Sequence, residues 1–345
     1  MQPLRIGVIG AGAMGSAHVR TITNDVPAAR VTAVFDPDPE RAGRAADPVR
    51  ARAFADAGEL IGHPDVDAVV IASPDVTHAG LARACIAAGR PVLCEKPLAV
   101  TASDAYSVVE AELSAGKRLL QVGFMRRYDP GFVDLRRTVT DGRIGDVRLV
   151  HAVHRNATNA TSTDDAGLVT GSMVHELDLI PWLVGSQLTA IRVESPVREG
   201  FRDPQLATLW TGNGVMASVE VFVNAGYGYD VRCECVGTLG TVALATASPV
   251  SSRIAGVEGR AVRSDFVAHF AEAYRIELGR WAGSVLATDV TGPSAWDGYV
   301  AQVAAEAGVA SLRSGAIEAV EPGLRPPLYG HGPDGGPGHG RSSTA

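Results

Sequence analysis

Three short stretches carry side chains and spacings that could do chemistry. Gly10-Ala-Gly12-Ala13-Met14-Gly15 is a G-x-G-x-x-G turn that directly follows a strand-like run and opens a helical pattern. In that setting the first glycine makes a tight turn, the second lets backbone approach a pyrophosphate, and the third lets helix and strand pack closely. Val-Leu-Cys-Glu95-Lys96-Pro97 closes another strand-like run. It puts an ammonium at the strand end where doubly wound folds bind ligands and where it would stabilise alkoxide character. Thr-Gly171-Ser-Met-Val-His175-Glu-Leu-Asp-Leu opens an apolar helical pattern holding one histidine, a side chain suited to general acid–base work. Each has a plain alternative: a glycine-rich turn that binds nothing or another nucleotide for Gly10–Gly15, a charge at an exposed strand end for Lys96, and a hydrogen-bonded core residue for His175.

The elements that must position these residues can be read from periodicity. Runs at Leu4–Ile9, Arg30–Phe35, Ala68–Ala72, Pro91–Cys94 and Arg118–Gly123 are continuously apolar, and amphipathic patterns separate them at Met14–Thr23, Pro39–Ala46, Thr77–Ala88 and Ala102–Ala115. That alternation predicts a parallel sheet covered on both faces. After Phe124 longer alternating runs appear at Val147–His154, Ala190–Val197, Gln205–Trp210, Val215–Val223 and Asp230–Val236, with helical patterns at 172–184, 265–287 and 294–313. They predict an open, mostly antiparallel sheet with one packed face. The expected architecture is therefore α/β: an N-terminal Rossmann-type doubly wound parallel sheet over 1–123 and an α+β domain over 124–321. A late helix is expected to return to the first domain, and a disordered Pro/Gly-rich tail is expected over 322–345.

Composition narrows the function classes. A chain of 345 residues has room for two domains, and 46% hydrophobic with 20% charged residues is ordinary for a globular protein. A net charge of -7 argues against a nucleic-acid partner. The first strand begins too early for a signal peptide, and no apolar run reaches membrane-spanning length. Cys85, Cys94, Cys233 and Cys235 have no zinc spacing and read as reduced thiols, which predicts a cytoplasmic protein. No His/Cys/Asp/Glu cluster has metal-ligand spacing.

The second strand-like run ends in Asp36, at the position where an acid meets the adenosine ribose. A carboxylate there accepts from both ribose hydroxyls and repels a 2′-phosphate. Pro37 follows it, and Arg41 reads as part of a solvated helix face, so NAD is expected rather than NADP.

With Gly10–Gly15, Asp36 and Glu95-Lys96-Pro97 in place, the chain resembles the Gfo/Idh/MocA oxidoreductases. The strings Q-V-G-F-M-R-R-Y-D (121–129), H-A-V-H-R-N (151–156), V-H-E-L-D (174–178), V-N-A-G-Y-G-Y-D (223–230) and G-P-S-A-W-D-G-Y (292–299) resemble the inositol 2-dehydrogenases within that family. The resemblance runs from about residue 4 to 320. It implies NAD-dependent oxidation of myo-inositol, or a close cyclitol, to the 2-keto product. Lys96 would polarise the hydroxyl, and His175 would be the general base. Gly10, Gly12, Ala13, Met14, Gly15, Asp36, Ser73, Glu95 and Lys96 would hold the cofactor. Lys96, Met125, Arg126, His154, Asn156, His175 and Tyr229 would contact a polyol. His151 reads as structural, His18 and His78 as near the dinucleotide, and the other histidines carry no signal. The resemblance also implies a homotetramer built through the open sheet.

One departure stands out. The family's inositol dehydrogenases carry an aspartate four residues before the catalytic histidine, one helical turn away; this chain has Gly171. Ser172, Asp164, Asp165 and Asp178 are the nearby substitutes in sequence. Three readings remain open: a slower enzyme, one shifted to another cyclitol or sugar, or a paralogue that binds NAD(H) with little catalysis.

Overall fold

The computed structural model describes residues 2–158, 164–245 and 251–330. The chain divides into two compact units. The first comprises residues up to Gly123, Leu278–Val300 and the described residues from Pro322; the second comprises Phe124–Glu277 and Ala301–Glu321.

In the first unit, six strands form one parallel sheet: β1 (Leu4–Ile9), β2 (Ala29–Phe35), β3 (Arg52–Phe54), β4 (Ala68–Ile71), β5 (Val92–Glu95) and β6 (Leu120–Gly123). Their order is β3-β2-β1-β4-β5-β6, a doubly wound sheet whose direction of winding reverses between β1 and β4. The connections are α1 (Ala13–Asp25), α2 (Pro39–Ala46), α3 (Ala57–Gly62), α4 (His78–Ala87) and α5 (Ala102–Ala115). All four residues of β4 are buried, as are all four of β5 and β6, which is why these runs are mostly apolar rather than alternating, with Glu95 and Gln121 the polar exceptions. One sheet face is closed by chain far away in sequence. Leu278, Trp281, Ala282, Val285 and Val290 join Ile6, Val8, Ile22, Val34 and Leu93 in a single core, and Trp281 is fully buried. The backbone N–H of Val122 donates to Pro293 O, which adds this returning segment to the β6 edge.

The expectation of a disordered tail from Pro322 does not hold for residues 322–330. Tyr329 is 1% exposed and its hydroxyl donates to Glu112 Oε2 at 2.9 Å. Arg325 lies 3.6 Å from Asp297 Oδ1. One buried aromatic anchor outweighs the Pro/Gly composition around it. Residues 331–345, with His331 and His339, lie outside the described residues.

In the second unit, α6 (Pro130–Thr140) precedes β7 (Val147–Arg155), followed by the single turn α7 (Asp165–Gly167) and α8 (Val174–Val184). Then come β8 (Leu188–Glu194), β9 (Gln205–Thr211), β10 (Met216–Phe222), β11 (Asp230–Gly237), β12 (Thr241–Ala243), the hairpin β13 (Ser251–Ile254) and β14 (Val257–Arg260), and α9 (Phe266–His269). The last elements are α10 (Ala271–Leu286) and α11 (Ala295–Ser314), of which residues 278–286 and 295–300 belong to the first unit, and β15 (Glu318–Ala319). The large sheet runs β12-β11-β7-β10-β9-β8-β15, antiparallel throughout except for the β7–β10 pair. Its burial alternates: Val150, Ala152 and His154 are buried while Leu149 and His151 are exposed. The buried face is covered by helices; the Val193 N–H, for example, donates to Ser311 Oγ at 2.9 Å. Leu149, Leu206 and Met216 stand exposed on the other face, beside the Arg155–Glu220 ion pair at 2.6 Å.

The predicted helix over 172–184 starts at Val174 and is preceded by a π-helical segment, Leu168–Met173, that contains Gly171. The predicted helix over 265–287 is broken at Phe270, whose φ of -103° and ψ of 18° leave the helical region.

Candidate active site

The Gly-rich turn joins β1 to α1. Gly10 has φ +91°, and a Cβ there would meet Ala72 O and Ser73 N at 2.6 Å. A Cβ on Gly15 would lie 1.8 Å from Gly10 O. These two glycines are required by the protein's own packing. Gly12 is different, because a Cβ there would meet nothing within 4 Å. Open space above a glycine at a helix start fits a ligand that must approach the backbone. No side chain caps α1 and its first turn holds no acid, so the N–H groups of Ala13, Met14 and Gly15 face outward as an anion site.

Asp36, buried beyond the end of β2, accepts from the Ala11 N–H at 2.8 Å and the Asp38 N–H at 3.0 Å. It thus ties the ribose-binding position to the Gly-rich turn. Arg41 is half-exposed, as a solvated helix residue should be, but it also reaches Asp36 Oδ1 at 3.4 Å. Ser73 follows β4, with Oγ 2.6 Å from Thr77 Oγ1. These residues fit a nicotinamide dinucleotide.

Lys96 follows β5, half-buried, with a cis peptide to Pro97. Glu95 turns inward rather than toward a ligand: its Oε1 is 2.7 Å from His18 Nε2, and its Oε2 is 3.4 Å from the Lys96 N–H. Burial pushes the Glu95 carboxyl up, yet His18 and neighbouring positive charges hold it below the usual range. His78 bridges the carbonyls of Pro97 (2.7 Å) and Ser73 (2.8 Å). The two histidines expected near the dinucleotide therefore lie buried beneath its loops, as struts between α1, α4 and the strand ends.

The second unit gathers most of the residues expected to read a polyol. The 3-10 turn Met125–Tyr128 is wholly buried and projects two arginines. Arg126 pairs with Glu176, and Arg127 Nε donates to Asp178 Oδ2 at 2.9 Å. His154 Nδ1 lies 3.2 Å from Arg126 Nη2. The His154 ring centroid is 5.9 Å from that of His175 and 6.0 Å from that of Tyr229. Burial pushes the Tyr229 hydroxyl up to about 12. Asn156 continues the same strand edge, and its Oδ1 is buried without a partner among the described residues.

The acids near His175 in sequence are each engaged elsewhere. Asp164 accepts from the Gly167 N–H at 2.8 Å, Asp165 from the Arg202 N–H at 2.7 Å, and Asp178 from Arg127. At Gly171 an added Cβ would meet nothing within 4 Å.

Sequence reasoning gave no role to Glu176, an acid inside a mostly apolar helix that holds Arg126. It also gave none to His269, whose ring lies 5.3 Å from that of Tyr229 and whose pKa burial lowers to about 4. The signal for Glu176 was faint, since α8 also carries His175 and Asp178 and a buried acid reveals its cation only in the fold.

Comparison with known proteins adds an independent line. Residues 4–124 match the model described as oxidoreductase family, NAD-binding Rossmann fold, and residues 132–243 match the Gfo/Idh/MocA C-terminal domain. Inositol 2-dehydrogenase 1 of Saccharopolyspora erythraea is 49% identical, covering 95% of this chain and 99% of its own. Inositol 2-dehydrogenase of Acidothermus cellulolyticus is 43% identical over 94% and 97%. The crystal structure of myo-inositol dehydrogenase from Lactobacillus casei in complex with NAD(H) and myo-inositol superposes with a TM-score of 0.91 at 34% identity, covering 95% of this chain and all of that one. The uncapped helix start, the acid beyond β2 and these matches agree: the chain belongs to the Gfo/Idh/MocA oxidoreductase family and carries its NAD-binding Rossmann fold.

Proposed function

We propose that this protein is an NAD-dependent dehydrogenase of a CH–OH group, oxidising myo-inositol or a close cyclitol to its 2-keto product. The observation that carries the reading is the buried polar cluster of the second unit. Arg126, His154, His175 and Tyr229 converge on one another there, as recognition of a many-hydroxyl ring demands. Relatives that are themselves inositol 2-dehydrogenases support the substrate class.

The NAD nicotinamide supplies the hydride acceptor. Gly12, Ala13 and Met14 hold the pyrophosphate by backbone N–H groups, and Asp36 holds the ribose. Lys96 donates to the reacting hydroxyl and stabilises alkoxide character. His175 takes the hydroxyl proton as the carbon loses hydride, so one proton and one hydride leave and a carbonyl forms. Arg126, His154, Asn156 and Tyr229 fix the remaining hydroxyls, with Met125 beside the ring. Gly171 favours a second reading, in which the substrate is a related sugar or cyclitol, or turnover is weak.

The exposed apolar side chains Leu149, Leu206 and Met216 on the open sheet support assembly of copies through that face, as a homotetramer. Four free, buried cysteines fit a cytoplasmic protein, and no helix among the described residues is long and apolar enough to cross a membrane.

The test is NADH formation from NAD and myo-inositol at alkaline pH. His175→Ala is expected to lose turnover while still binding NADH. Unchanged turnover in that variant would remove His175 from the mechanism, and wild-type silence toward every cyclitol would remove the substrate reading.

A further inference from the structure

Glu176 is 0% exposed, Arg126 2% and His154 4%, so three ionisable side chains share a site closed to water. They come from α8, from the turn before α6 and from β7. Arg126 Nη1 donates to Glu176 Oε1, and Arg126 Nη2 lies 3.2 Å from His154 Nδ1, which is 3.4 Å from Glu176 Oε2. His154 Nδ1 thus sits between a guanidinium, which only donates, and a carboxylate, which only accepts, and is held in place by both. Arg126 also bonds the Tyr229 hydroxyl. Its Nε is buried with no hydrogen-bond partner among the described residues.

Stability does not account for this arrangement. A buried ion pair is often no better than well-packed apolar side chains of the same volume. What the pair provides is fixed direction: a planar fork held on one side by a carboxylate presents its remaining donors at set angles.

We propose that Glu176 is a positioning residue for the polyol substrate: its carboxylate fixes the guanidinium of Arg126, and the two together set the orientation of His154. Together they present a rigid pattern of donors to vicinal hydroxyls. The inference rests on the polyol reading above and deepens it by assigning Glu176 a role in substrate recognition. Glu176 itself touches neither substrate nor cofactor. Burial pushes its carboxyl up, but the charges and hydrogen bonds of Arg126 and His154 together more than offset this and bring it down to about 2.

Glu176→Gln keeps the shape and removes the charge. Its KM for myo-inositol should rise about tenfold or more, the usual scale for losing a group that orients a ligand-binding side chain. Turnover per NADH-binding site and the KM for NAD should change by less than about threefold on the same reasoning. A merely structural pair predicts the opposite split, with fewer folded molecules, lower apparent kcat and the same KM. Where Glu176→Gln does not fold, Arg126→Lys serves. It keeps a cation opposite Glu176 but lacks the fork, and its KM should rise on the same scale. An unchanged KM in whichever variant folds overturns the proposal. A wild-type enzyme that turns over no cyclitol overturns the functional reading instead, so the two failures are distinguishable.

Discussion

Placing an aspartate at position 171 measures how far His175 depends on a neighbouring charge. Gly171 does not have a positive φ, and a Cβ there meets nothing within 4 Å, so neither backbone conformation nor the first side-chain atom opposes Gly171→Asp. Replacing a glycine in a helical segment recovers a few tenths of a kcal/mol of backbone entropy. One helical turn brings the two side chains to about 6 Å. At an effective dielectric constant of about 20, opposite charges at that separation attract by roughly 3 kcal/mol. Position 171 is half-buried, so solvent screening lowers this to about 1–2 kcal/mol. The imidazolium that forms as substrate loses its proton gains that stabilisation, which is about tenfold in rate. The same attraction favours the protonated resting base, so the acid limb of the kcat/KM–pH profile should move up by about one pH unit. The assay is the initial rate of NADH formation from myo-inositol over a pH series, for wild type, Gly171→Asp and Gly171→Asn. The asparagine variant has the shape without the charge and should follow wild type. Equal shifts in both variants, or none in Gly171→Asp, would refute the electrostatic argument.

Two further predictions concern the first unit. Asp36→Ala removes the acceptor of the Ala11 N–H and leaves Arg41, now 3.4 Å from it, without that carboxylate. NADH binding followed by fluorescence should weaken at least about tenfold, while the preference against NADPH narrows. Equal loss for both dinucleotides would contradict the ribose assignment. Tyr329→Phe removes one hydrogen bond to buried Glu112 and should cost about 1.5–3 kcal/mol, read as a lower unfolding temperature. Burial raises the Glu112 carboxyl above its ordinary 4.5 despite bonds from Leu119, Leu120 and Tyr329. With the folded value above the unfolded one, its stabilisation is complete below pH 4.5 and is lost as pH rises through the folded value. Unfolding of Glu112→Gln, which buries no charge, should therefore gain on wild type as pH rises from that point, and a flat difference would count against it.

The fold was legible where burial is two-sided and local. The apolar runs of β4 and the start of β5, bounded by turn signals, read as buried strands, and G-x-G-x-x-G followed by Asp36 marks the nucleotide end of the sheet. Less legible was anything that depends on a distant partner. Trp281 and Leu278 look like one face of a helix, and nothing local says that they complete the core beneath β1 and β5. Tyr329 sits among prolines and glycines, so composition outvotes its single anchoring bond. Helix α6 went unread although Asp129 caps it, accepting from the Gly131 and Phe132 N–H groups, and Pro130 opens it. Glu176 reads as an ordinary charged position until Arg126, fifty residues earlier, is seen to meet it. The roles assigned to His154 and His175 came from resemblance rather than from pattern, because isolated histidines have no periodicity.

The chain that completes the nucleotide-binding unit also sets the order in which that unit can be made. Its sheet is finished when Gly123 has been synthesised, but Trp281 and its neighbours follow only after the whole of Phe124–Glu277. At ribosomal rates this is a delay of roughly 8–30 s. Through that interval the sheet face carrying Val34 and Leu93 is covered only in part, by Val19 and Ile22 of α1. The nucleotide-binding half, first to emerge, is among the last to close. A premature stop between residues 124 and 277 leaves an intact glycine loop on a sheet with an incomplete core, a product for chaperones and proteases rather than a free-standing NAD-binding module.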